Sequence, residues 1–315
     1  MKNVMIDGAT CPLGMRLADA LSKRDDVERL VGLEATITSQ WASNIELLAS
    51  EPDHRLQLEF IRDYEIDTVI QCSLARNRSG EIAGDRSADV IRTMRLGATI
   101  GSASCPVRSW VVLSSSAVYP HSSAGPLLKR ETDPIATADT DRGSALVEAE
   151  QYALDIARRS PHLNVAILRL QELVGPDFRG PLSTHFNQAV VPTVLGYDPA
   201  IQFLHVEDAI SAIAFAAELE LAGIYNVASR DIVRLSEFML SLGRPNVLHP
   251  PFRFGALSTL AALARLPHIT EEVFDLLRFG HAVDTAKIET AGFKPMADQL
   301  DCAAVLNHQS STRNS

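Results

Sequence analysis

Three features of this sequence predict an α/β fold built on a parallel sheet. Short apolar runs alternate with helix-length segments through the first half of the chain, the pattern of successive βαβ units. The first apolar run, VMI, ends in a glycine-rich turn, GATCPLG (Gly8–Gly14), that opens directly into the helix-like MRLADAL. The 315 residues suffice for one large or two closely joined domains, and 46% hydrophobic against 22% charged residues suits a soluble globular chain with a substantial core.

Strands are expected at Asn3–Ile6, Leu30–Leu33, Ile45–Leu48, Thr68–Gln71, Trp110–Leu113 and Val165–Leu168. Helices are expected between them at Pro12–Arg24, His54–Tyr64, Ala88–Ser102 and Ser144–Arg159. Pro12 suits a first-turn position, where its missing N–H would be unpaired in any case. Leu146, Ala149, Ala153 and Ile156 recur at helical spacing, and Ser160-Pro161 marks the end of that helix. After Leu170 the Gly/Pro-rich stretches GPDFRGP and VVPTVLGYDP signal a change of architecture. A strand at Ile201–Leu204, a helix at Val206–Leu219, a strand at Ile224–Val227 and further helical pieces follow, with a frayed tail at 309–315.

Several function classes are excluded at this level. The net charge of −10, with no basic stripe interleaved with aromatics, argues against nucleic acid or an anionic membrane surface. The N-terminus turns polar too early for a secretory leader. The apolar stretch Gly255–Leu266 is interrupted by Arg265 and too short to span a bilayer. Cys11, Cys72, Cys105 and Cys302 lie far apart with no CxxC pair and no histidine at metal spacing, so reduced thiols, a cytoplasmic location and no metal are expected.

Taken in order, GATCPLG, LSSSAVYP, LRLQELVGP, FLHVEDA, IYNVA and GFKP give the chain a family likeness. It resembles the extended short-chain dehydrogenase/reductases, specifically the NAD-dependent epimerase/dehydratase branch, over nearly its whole length. The resemblance implies a Rossmann-type doubly wound parallel sheet that binds the cofactor at the carboxyl ends of its strands, with a smaller C-terminal α+β substrate domain. It places the NAD-binding domain at 1–172 and the substrate side at 173–308, with 201–228 packing back on the first. A sugar-related small molecule and a homodimer are the partners it suggests.

Carried over residue by residue, Gly8 and Gly14 match the first and third glycines of the family's GxxGxxG. Cys11 stands at the second, where a Cβ and sulfur cost space and any positive φ would add strain. Pro12 and Leu13 complete the turn, whose helix N-terminus offers N–H groups to a pyrophosphate. Glu34, twenty positions beyond Gly14, stands where an acid binds the adenosine ribose, so NAD is expected over NADP; an ordinary surface glutamate is the alternative. Cys72, Ser73 and Leu74 occupy the segment whose backbone lines the cofactor.

The family's reaction uses a Ser or Thr beside the substrate oxygen, a Tyr that transfers the proton, and a Lys four residues later that lowers the Tyr pKa. Ser115, four residues before Tyr119, matches the serine, with Ser114 and Ser116 leaving the register open by one. The Tyr and Lys should fall within TDRGSALVEAEQ, which contains neither. The residues four after Tyr64, Tyr119, Tyr152, Tyr197 and Tyr225 are Thr68, Ser123, Ile156, Ile201 and Ser229, so no YxxxK occurs anywhere. His121, Asp141 and Arg142 are candidate substitutes, and Glu172 stands where many relatives carry an asparagine near the substrate.

Three readings stay open: an NAD-binding protein without standard redox chemistry, an active epimerase, dehydratase or reductase with a replacement acid/base near Ser115, and an interaction protein with an empty cleft.

Overall fold

The computed structural model describes residues 1–34, 45–49, 54–74, 86–120, 126–135, 141–251 and 269–311. The first half alternates as expected: β1 (Asn3–Asp7), α1 (Pro12–Leu21), β2 (Arg29–Glu34), β3 (Glu46–Ala49), α2 (His54–Asp63), β4 (Thr68–Gln71), α3 (Arg86–Ile100), β5 (Ser109–Ser115), β6 (Leu128–Lys129), α4 (Asp141–Arg159) and β7 (Asn164–Leu170). Next come β8 (Leu173–Val174), α5 (Pro181–Phe186), β9 (Val191–Val194), β10 (Ala200–Ile201), β11 (Leu204–His205), α6 (Val206–Glu218) and β12 (Gly223–Val227). The chain closes with β13 (Val233–Arg234), α7 (Leu235–Leu242), β14 (Asn246–His249), α8 (Glu271–Phe279), β15 (Ala282–Val283), α9 (Ala286–Thr290) and α10 (Gln299–Ser311).

Seven strands form the central sheet in the order β12-β7-β5-β4-β1-β2-β3, every neighbouring pair parallel. The central strands are apolar on both faces because helices cover both sides. Leu13 and Leu17 of α1 pack with Ile210 and Ile213 of α6 on one face. On the other, Leu96 and Ile100 of α3 pack with Leu146, Ala149 and Ala153 of α4. A third cluster unites Phe186, Phe203, Phe238, Leu277 and Leu306 from the C-terminal elements. The strand order reverses between β1 and β4, so a crevice opens above their carboxyl ends.

Two expectations are corrected. The strand foreseen at Ile201–Leu204 is two short strands, β10 and β11, separated by Gln202 and Phe203. They pair with different partners, β13 and β8, because the Phe203 N–H is taken by Gln299 Oε1 at 2.9 Å and the Gln202 amide oxygen accepts from Val283 N–H at 2.9 Å. The tail does not begin to fray at residue 309: α10 runs to Ser311, and Gln309 is buried with its amide donating to the Gly175 carbonyl.

His185 in α5 is buried, its Nε2 donating to the Pro192 carbonyl at 2.8 Å and its Nδ1 accepting from Gln188 at 3.1 Å. Burial pushes this imidazole below its ordinary value, so protonation favours the unfolded chain. Its contribution to stability is full above the unfolded value of 6.5 and is lost as pH falls through the lower folded one. Thermal denaturation at about pH 7 and about pH 5 is therefore expected to show a smaller acid loss in His185→Gln than in the parent protein.

Candidate functional site

The crevice is floored by loops in close approach. Gly8 sits at φ +83°, and a Cβ there would lie 2.7 Å from Ser73 N and 2.9 Å from Ser73 Cα. The turns after β1 and β4 therefore run against each other, with Cys72 N–H donating to the Asp7 carbonyl at 2.7 Å. Gly14 meets a different constraint: a Cβ would lie 2.4 Å from the Gly8 carbonyl oxygen.

Cys11 departs from its sequence expectation. It is the N-cap of α1 at φ −70° and ψ 155°, ordinary extended backbone, so the anticipated strain does not arise. Its Sγ turns inward and accepts the Gly14 N–H at 3.3 Å, doing the work of a capping oxygen. The side chain is buried and stays out of the space above the turn. Pro12 brings no N–H at all, and Met15 N–H closes onto the Cys11 carbonyl at 2.9 Å. Leu13 N–H is the first-turn donor that no described residue engages. Pro12, which has no N–H, and Cys11, whose Sγ takes the Gly14 N–H, thus each remove one donor from the first turn.

Glu34 ends β2 with 1% of its surface exposed, which rules out the surface-glutamate alternative. Its Oε1 accepts the Thr10 N–H at 2.6 Å, drawing the carboxylate against the glycine turn. Below it, Arg92 of α3 donates to Asp7 Oδ1 at 2.6 Å and to the Leu33 carbonyl at 3.1 Å, tying the ends of β1 and β2 together. Cys72, Ser73 and Leu74 are all buried behind the turn.

At the end of β5 three serine hydroxyls point to three destinations. Ser114 donates to Glu150 of α4. Ser115 accepts the Ala117 N–H at 3.1 Å and caps the short 3-10 turn Ser116–Val118. Ser116 donates to Gln171 Oε1, while His281 Nε2 lies 2.8 Å from the same hydroxyl. Gln171 Nε2 in turn donates to the His281 carbonyl, closing the triangle.

A buried network fixes this loop at both ends. Arg169 of β7 pairs with Glu150 at 2.7 Å and donates to the Tyr119 hydroxyl at 2.9 Å. That hydroxyl donates to Asn226 Oδ1 of β12 at 2.8 Å. Burial pushes the Tyr119 phenol above its ordinary value despite the adjacent guanidinium, and its side chain is wholly inside. The position one helical turn before Glu150 on α4 is Leu146, which is buried among apolar neighbours.

Ser115, Ser116, Glu172, Glu272, Leu276 and His281 line a cavity of about 50 Å³. Glu172 accepts the Leu182 and Ser183 N–H groups at 3.1 and 2.6 Å, at the start of α5, and burial pushes its carboxyl upward. A second cavity, of about 670 Å³, shares His281 and is lined by Lys129, Arg234 and Arg278. The Arg278 guanidinium stacks 5.2 Å from the Tyr197 ring and 4.7 Å from that of Phe279.

Among the sequence candidates, Ser115 lines the smaller cavity and Ser114 does not. His121 lies outside the described residues, as do the side chains of Asp141 and Arg142. His205 and Asp208 hold structure: His205 caps α6, and Asp208 accepts the Met296 and Ala297 N–H groups at 3.0 and 2.9 Å. Sequence reasoning missed His281 and Gln171. A lone histidine in RFGHAV, 165 positions from its serine partner, carries no spacing signal. Among the described residues no cluster of three or more His, Cys, Asp or Glu could hold a metal, and no helix is long and apolar enough to cross a membrane.

The model of the NAD dependent epimerase/dehydratase family matches residues 4–228, from β1 through the end of β12. The chain belongs to this family. Similar proteins include uncharacterized ones from Mycobacterium tuberculosis and Mycobacterium bovis, each 29% identical over 303 residues, which cover 93% of this chain and 80% of the relative. Among solved structures, dTDP-glucose 4,6-dehydratase from Bacillus anthracis in complex with NAD is similar, with a TM-score of 0.70 and 15% identity, covering 100% of this chain and 98% of that one. UDP-glucuronic acid 4-epimerase from Bacillus cereus in complex with NAD gives 0.69 and 14%, covering 100% of both chains. At such identities these two structures establish the shared fold of the family.

Proposed function

We propose that this family member binds NAD across the carboxyl ends of β1, β2 and β4 and lacks the Tyr/Lys proton-transfer pair of standard redox catalysis. The observation that carries the reading is the Glu34 carboxylate, buried and held 2.6 Å from Thr10 N at the lip of the glycine turn. A carboxylate there accepts from ribose hydroxyls and repels a 2′-phosphate. Gly8, Gly14, the inward-turned Cys11 and the Leu13 N–H support a pyrophosphate over the turn, and Cys72–Leu74 line its far side. The NAD present in both similar structures supports the same choice of cofactor.

Calorimetric titration with NAD, NADH, NADP and NADPH tests this. NAD is expected to bind at least about tenfold more tightly than NADP, and Glu34→Ala to narrow that gap by removing about 1.4 kcal/mol or more of discrimination. Tighter binding of NADP would sink the assignment.

A second reading, an active enzyme with a replacement acid/base, is favoured by the cavity that places Ser115 beside His281. In that reading residues 173–308 form the substrate side, and a sugar-related ligand enters between it and residues 1–172. UDP-glucuronic acid and dTDP-glucose are the probes the similar structures suggest. Four buried cysteines, none in a disulfide, support a cytoplasmic setting, and Ile91 and Met94, exposed on α3, support a homodimer that sedimentation would reveal.

A further inference from the structure

We propose that Arg92 of α3 is a positioning residue that sets the preference for NAD over NADP, acting through Glu34. The inference rests on the reading that NAD binds with its adenosine ribose on Glu34. It begins from two backbone positions whose separation matters. Asp7 ends β1 immediately before Gly8 of the glycine turn, and Leu33 immediately precedes Glu34 at the end of β2. The two residues are register partners in the central sheet.

One guanidinium spans both. Arg92 Nε donates to Asp7 Oδ1 at 2.6 Å, Nη2 reaches the same oxygen, and Nη2 also donates to the Leu33 carbonyl at 3.1 Å. That carbonyl accepts a second bond, from Gly8 N–H at 3.0 Å. The glycine that opens the turn and the residue before the ribose carboxylate are therefore held together at one oxygen. Glu34 closes the circuit by accepting the Thr10 N–H from within the turn.

The arrangement resists loosening. Asp7 is 0% exposed, and a buried carboxylate that lost its guanidinium would carry an uncompensated charge. Thr93, the next residue of α3, accepts from Gln71 Nε2 at 2.7 Å, which pins the same turn of helix to the end of β4. Arg92 and Thr93 thus dock α3 on the ends of β1, β2 and β4, the three strands that the NAD reading uses.

Arg92 is needed for its shape as well as its charge. A guanidinium is a rigid fork of donors, whereas a lysine ammonium is a compact point charge on a flexible stem. Lysine at this position compensates Asp7 but does not fix Asp7 and Leu33 at one separation. Once that separation loosens, the Glu34 carboxylate leaves hydrogen-bonding range of the ribose hydroxyls. Its repulsion of a 2′-phosphate falls with the same added distance. Both changes narrow the gap between the two cofactors.

The test titrates NAD and NADP calorimetrically into the full-length parent, Arg92→Lys, Glu34→Ala and the Glu34→Ala/Arg92→Lys double variant, with thermal denaturation of each. Arg92→Lys is expected to stay folded, to lose about tenfold in NAD affinity and to change NADP affinity by less than about threefold. In the Glu34→Ala background the same substitution is expected to leave the NAD-to-NADP ratio unchanged within about threefold, because the carboxylate it positions is gone. Asp7→Asn/Arg92→Gln removes the buried charge pair and the fork together, and it carries the same expected narrowing in a protein with no stranded charge. It decides the question where Arg92→Lys does not fold. Equal losses for NAD and NADP, a ratio equal to the parent's, or a narrowing of the same size with and without Glu34 each overturns the proposal while leaving NAD binding intact. A parent that binds no NAD, or binds NADP as tightly, overturns the underlying reading instead.

Discussion

Arg169→Met is expected to destabilise the protein by about 3–5 kcal/mol, because it strands the Glu150 carboxylate in an interior where it is 1% exposed. Arg169 places three nitrogens on this network: Nε and Nη2 on the Glu150 carboxylate and Nη1 on Tyr119. Removing it also takes away the donor to the Tyr119 hydroxyl, which is left with its bond to Asn226 Oδ1. Chemical denaturation should show the midpoint falling sharply at an unchanged slope. The double variant Arg169→Met/Glu150→Leu should recover most of the loss, since two apolar groups leave no charge uncompensated. A single variant within about 1 kcal/mol of the parent would mean that the pair contributes geometry and little energy.

The second large effect lies at the glycine turn. Gly8→Ala is expected to cost about 2–5 kcal/mol and to abolish NAD binding, because it adds an unfavourable φ to a Cβ overlapping the Ser73 backbone. Gly196 separates the two terms. It has the same φ of +83° but nothing within 4 Å of a built Cβ. Gly196→Ala should therefore cost only the backbone term, about 1–2 kcal/mol, and leave NAD affinity unchanged. Equal losses in the two variants would show that the turns after β1 and β4 separate more easily than their contact suggests.

Much of this architecture was legible because local signals and burial agree. The apolar strands read as strands since helices cover both sheet faces, and Pro12 and Ser160-Pro161 bracket their helices by backbone chemistry alone. The split of Ile201–Leu204 was not legible. Its run is apolar throughout, and the break depends on Gln299 and Val283, which approach only in the folded chain. Cys11 shows the same limit in reverse: its type suggested an obstruction, but its φ and inward Sγ make it a cap.

The candidate site divides along the same line. The sequence by itself determined the family, the parallel sheet, the positions of Gly8, Gly14, Glu34 and Ser115, and the lack of any YxxxK, because each of these is a residue type at a fixed distance along the chain. Only the tertiary structure decided that Glu34 is buried on Thr10, that Cys11 turns inward to cap α1, and that His281 reaches Ser116. The physical reason is that a hydrogen bond between groups far apart in sequence leaves no periodicity to read. It exists only where β5, β7 and the segment between α8 and β15 are brought to one end of the sheet.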